Sequence, residues 1–116
     1  MELGEGFIAF PVSADPSKGV EVRINFGVFA GREATPAEID ELARRLLQDV
    51  ERVTLVCERR YELSERVEAS VHQVRIEVPR ELVPDDVVDA ARLEGRLVLL
   101  AETWATACFA DRRAAV

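Results

Sequence analysis

The residues of this chain best suited to chemistry are few, and their spacing ties them to no familiar site. His72 is the single histidine in 116 residues. A lone imidazole acts as general base only where a nucleophile or substrate is held against it. No serine or cysteine stands in recognisable relation to it. Cys57 and Cys108 are the only cysteines, far apart and in no CxxC pair, so two reduced thiols are expected. One histidine and two distant thiols do not supply a metal's ligand set. Dinucleotide, P-loop, HExxH and EF-hand patterns are all missing. The sequence therefore predicts no catalytic residue, no metal site and no cofactor.

What remains is a polar group: Arg23, Asn25, Arg75 and Glu77, with His72. These are the candidate ligand-binding residues. The guanidinium fork suits an anionic small molecule or a partner's carboxylates. They fall in two similar stretches, Glu21-Val22-Arg23-Ile24-Asn25-Phe26 and Gln73-Val74-Arg75-Ile76-Glu77-Val78.

The elements that must carry them follow from periodicity. Residues 6–12 read as a strand, with Pro11 pushing it to an edge. Asp15-Pro16-Ser17-Lys18-Gly19 reads as a turn. A second strand is expected from about 20 to 30, because Val20, Val22, Ile24, Phe26 and Val28 alternate with less apolar residues. Gly27 and Gly31 fit backbone geometry at its end. Thr35, Pro36 and Glu38 form a capping-box start for a helix whose apolar stripe runs from Ile39 to Val50. Strand three (52–62) and strand four (67–78) follow, with a turn at Leu63-Ser64-Glu65-Arg66. The apolar phase of strand four changes between Val71 and Val74, which predicts a β-bulge near His72–Gln73. A long helix from about 85 to 109 opens on Pro84-Asp85-Asp86, an acidic start suited to the helix dipole. Its apolar sector spans about 200°, where a surface helix needs about 100°. The excess predicts a subunit contact, with Leu99 and Trp104 as interface residues. The tail from Asp111 is expected to fray.

Composition sets the outer bounds. With 48% hydrophobic and 32% charged residues the chain reads as one globular domain, 1–116, made of two ββα units (6–50 and 52–109). Acidic residues outnumber basic ones 22 to 15, and Lys18 is the only lysine. Nucleic acids and anionic membranes both call for clustered positive charge, so neither partner is expected. The acidic first residues lack the basic and apolar regions of an export signal, and the longest apolar stretch is too short to span a bilayer. A cytoplasmic bacterial protein is expected; the arginine-over-lysine bias fits a GC-rich genome.

If the repeat is real, the order ββαββα is a circular permutation of a ferredoxin-like fold. The expectation is an α+β two-layer sandwich: a four-stranded antiparallel sheet, order 1-2-4-3, with two helices on one face. Its open face would carry the polar group above. That face lacks the aromatics of an RNA-binding sheet, and it is too charged to enclose an apolar cofactor. The expected role is a non-catalytic homo-oligomeric binding, regulatory or assembly module. The alternative is a small enzyme or metabolite sensor with an anionic ligand on the open face.

Overall fold

The computed structural model describes residues 7–12, 19–63, 65 and 68–114. Four strands form one antiparallel sheet: β1 (Ala9–Pro11), β2 (Val20–Ile24), β3 (Thr54–Leu63) and β4 (Glu68–Val78). Their order is β1-β2-β4-β3, as the internal repeat predicted. Helices α1 (Phe26–Ala30), α2 (Pro36–Leu46) and α3 (Val87–Ala114) complete the fold, with a 3-10 turn at Arg80–Leu82. The α+β class and the central pairing of the two similar strands both follow from the ladder. Val22 stands opposite Ile76, Ile24 opposite Val74, and Arg23 opposite Arg75.

Side-chain alternation then decides the two faces. Val20, Val22 and Ile24 of β2 and Val74, Ile76 and Val78 of β4 are buried. They pack in one cluster with Leu42 and Leu46 of α2 and with Leu93, Leu97, Ala101 and Trp104 of α3. Glu21, Arg23, Arg75 and Glu77 lie on the other face, partly exposed.

Three expectations change. The second strand does not reach residue 30. It ends at Ile24, and Phe26–Ala30 form a helix closed by Gly31 in the left-handed region, φ 72°. The period-2 pattern continues through Phe26 and Val28, but burying the Phe26 ring outweighs local strand propensity. Phe26 packs 5.3 Å from Trp104 and 5.5 Å from Phe109, ring centre to ring centre. The bulge near His72–Gln73 is not formed either. Pairing runs one-to-one from Thr54↔Glu77 through Arg59↔His72 to Leu63↔Glu68. Finally, α3 begins at Val87 rather than 85 and continues to Ala114, past the expected fraying point.

The start of α2 was read correctly. The Thr35 hydroxyl accepts from Glu38 N while the Glu38 carboxylate accepts from Thr35 N, which is the capping box. Asp86 takes the corresponding place before α3, accepting from Asp89 N at 3.0 Å. Of the predicted turns, residues 15–18 and residues 64 and 66 lie outside the described residues. No helix among the described residues is long and apolar enough to cross a membrane.

Candidate functional site

The ionic face of the sheet is built from two strands that repeat the same local device. Arg23 Nε donates to Glu21 Oε2 at 2.8 Å, two residues along its own strand. Arg75 Nε lies 2.9 Å from Glu77 Oε2, again two residues along, an ion-pair distance at which the N–H points off line for a hydrogen bond. Arg75 also reaches Glu58 of β3 at 3.3 Å. Residues i and i+2 of a strand share a face, so each guanidinium meets a carboxylate without leaving the sheet. Arg23 and Arg75 face each other across the ladder, a like-charge pair that these carboxylates offset. Three carboxylates thus surround two guanidinium groups, whose side chains are each 24% exposed.

Asn25 and His72, the other predicted ligand residues, are elsewhere. Asn25 follows β2, at the N-cap of α1, and is buried. Its amide Nδ2 donates to Phe7 O at 2.9 Å, and its Oδ1 accepts from Gln73 Nε2 at 2.7 Å. It is a structural tie between strand ends, since a buried amide left unpaired is costly. His72 lies on the helical side of the sheet, directly beneath α1. Its Nδ1 is 3.3 Å from Glu33 Oε1, and its Nε2 is 3.5 Å from Arg59 Nη2. The structure therefore brings together Arg23, Arg75 and Glu77 and separates them from Asn25 and His72.

Around His72 runs a cleft of about 180 Å³, lined by Phe26, Glu33, Cys57, Arg59, Gln73 and others. It is the closest approach to a composite site among the described residues. Cys57 and His72 meet there through the β3–β4 ladder, in which Cys57 pairs with Val74 and Arg59 with His72, and the chain after Gly31 brings Glu33 to them. Burial of the Cys57 thiol pushes its pKa up, and the Glu33 carboxylate adds to the effect. A thiol held protonated is a poor nucleophile at neutral pH. Among the described residues no group of three histidine, cysteine or acidic side chains is placed to hold a metal. The cleft carries polar contacts but no assembled catalytic set.

Trp104, predicted at an interface, is 1% exposed and donates from Nε1 to the Glu38 carbonyl at 2.8 Å. It joins α3 to α2 inside the chain. Leu99, its predicted companion, is 65% exposed.

A constellation that periodicity missed is centred on Arg32. Its two terminal nitrogens donate to both Glu38 carboxylate oxygens, at 2.8 and 2.9 Å, and its guanidinium lies 5.4 Å from the Phe26 ring centre. This fork, with the Thr35 backbone donor, holds the Glu38 carboxyl down to about 2. The available signal was the Arg-x₅-Glu spacing across a glycine-ended turn, which has no recognised regularity.

These features define an α+β domain with an ion-paired sheet face and an aromatic core. Comparison with protein-family models, with curated proteins and with solved structures finds no match for the chain.

Proposed function

We propose that this protein is a non-catalytic module that works by self-association, a homo-oligomeric binding or assembly component rather than an enzyme. The observation that carries this reading is the outer side of α3. Val88 (57% exposed) and Leu99 are uncovered there, while the opposite side of the helix is buried. One helical turn before Leu99, Gly95 leaves open space where a side chain would stand, with no atom within 4 Å. Val88, Gly95 and Leu99 share one side at the helical repeat. A second copy of the helix could approach closely over Gly95 and cover both apolar side chains. Val88 and Leu99 stand about three turns apart on that side, with Arg92 and Gly95 between them.

The rival, an anionic ligand on the open face, has less to stand on, because the carboxylates of Glu21, Glu58 and Glu77 already meet Arg23 and Arg75. The reading extends to a permuted ferredoxin-like, two-layer arrangement in a cytoplasmic bacterial setting. The 1-2-4-3 order and the helices packed on the sheet support the first of these; the arginine-rich composition supports the second.

Light scattering on the full chain tests the reading. The expected mass at micromolar concentration is at least twice 12.9 kDa. Leu99→Glu is expected to lower the mass while leaving the far-ultraviolet circular dichroism unchanged, since the site is exposed in the single chain. A monomeric wild-type chain would overturn the proposal.

A further inference from the structure

The two edges of the sheet are finished differently. β1 is three residues long and contains Pro11, which has no N–H to offer. β3 is ten residues long and contains neither proline nor lysine, and its pairing with β4 carries no bulge. Among the described residues no strand pairs with its outer side. Tyr61 and Leu63 near its end are 61% and 70% exposed. A long edge with free backbone donors and acceptors is a template for another strand unless something blunts it. Charge is the one device left on this edge, in the run Glu58-Arg59-Arg60-Tyr61-Glu62.

That charge pattern is complementary to itself in one register. We infer that β3 is a self-association edge, pairing antiparallel with β3 of a second copy about a two-fold axis at Arg59. Residues 55–63 of the two copies then face each other. Glu58 stands across from Arg60 on both sides of the axis. Leu55 meets Leu63, and Cys57 meets Tyr61, so the exposed Leu63 and Tyr61 are covered by the partly buried Leu55 and by Cys57. Sliding the register by two residues one way sets Glu58 against Glu58. Sliding it the other way sets Glu58 against Glu62 and Arg60 against Arg60. Like charges directly opposite are destabilising, so the pattern selects a single alignment. Its cost is Arg59 meeting its own copy, which the Glu33 carboxylate 3.8 Å from each Arg59 offsets. Nine paired residues would contribute about eight to ten main-chain hydrogen bonds. The edge belongs to β3 at one rim of the sheet, whereas α3 packs on β1 and β2 towards the other, so the two contacts are independent.

Disulfide trapping tests the edge directly and separately from the α3 contact, in a Leu99→Glu background. Directly opposed residues of an antiparallel pair have Cα atoms about 4.5–5.5 Å apart, within disulfide reach. Tyr61→Cys would stand across from Cys57 of the second copy, and oxidation by copper phenanthroline in air should give a covalent dimer on a non-reducing gel. Leu63→Cys, opposite Leu55, should not, and Cys108 is buried. By light scattering, the Leu99→Glu chain should stay dimeric, and adding Tyr61→Lys should make it monomeric with its far-ultraviolet circular dichroism unchanged. A Leu99→Glu chain that is monomeric, and that gives no cross-link when Tyr61→Cys is added, would overturn the edge pairing while leaving the α3 reading intact. Equal trapping by the Tyr61→Cys and Leu63→Cys variants would overturn the register and with it the proposal.

Discussion

Glu38 performs three tasks at once. Its carboxylate closes the capping box at Thr35 and accepts the Arg32 fork, while its carbonyl accepts from Trp104. The charged form is the one held in the folded chain, and its carboxyl lies at about 2 against a usual value near 4.5. A group with a depressed folded pKa stabilises the fold fully above its unfolded pKa, and that contribution fades as pH falls towards the folded value. The window is therefore roughly pH 5 down to pH 2. Because Arg32 is a third exposed, solvent screening reduces the effect, and about 1–2 kcal/mol is expected. Glu38→Gln should lower the unfolding free energy measured in urea at pH 7 by that amount, with the gap to wild type narrowing steadily from pH 5 towards pH 2. A gap that stays constant with pH would place the loss in packing rather than charge.

At the scale of elements, α1 depends on how near it can come to β4. A Cβ built at Gly27 would stand 2.7 Å from the backbone nitrogen of His72 and 3.1 Å from its carbonyl oxygen. Backbone cannot step aside as a flexible side chain can, so α1 would have to lift from the strand. Gly27→Ala should destabilise the chain by about 2–3 kcal/mol, the range for overpacking, although alanine is the better helix former. Thermal or urea unfolding measures it; an unchanged or raised stability would mean that α1 is not seated on β4. The same contact explains what was legible beforehand. α2 could be read because Thr35, Pro36 and Glu38 act through fixed local spacing. The sheet order could be read because two strands resemble each other. α1 was hidden because Phe26 and Val28 prolong the strand pattern, and only long-range packing on Trp104 and His72 makes those five residues helical. The cleft at His72 was hidden with it, since Glu33 reaches the histidine only through that turn. The false bulge has a related origin. β2 ends opposite Val74, so the phase of β4 changes where its neighbour stops, without an inserted residue.

At the scale of the whole molecule, the ladder shows where cohesion is concentrated. The structure measures 42 × 37 × 19 Å, thin for its breadth. Between Val20 and Ile24 the centre has β4 and β1 on either side of β2, with three helices against the same buried cluster. Beyond Val74, among the described residues, β3 is the only strand beside β4, over the six pairs from Glu58↔Gln73 to Leu63↔Glu68, and α1 reaches it at His72. A two-stranded ribbon is marginal in water without further support. In the monomeric chain carrying Leu99→Glu and Tyr61→Lys, where no second copy pairs with β3, native-state hydrogen exchange should show the paired amides of residues 68–71 opening with a free energy several kcal/mol below that of residues 74–78. Equal protection along β4 would contradict this.

The overhang behaves as a cantilever. Its root at Val74 is clamped by a third strand and by the helices, while in a single chain its far end is held, among the described residues, by β3 alone, so any pull at the tip concentrates bending at the root. Fraying should advance from the tip inward and halt at the clamp. The tightly packed half would hold its shape while the free half samples others.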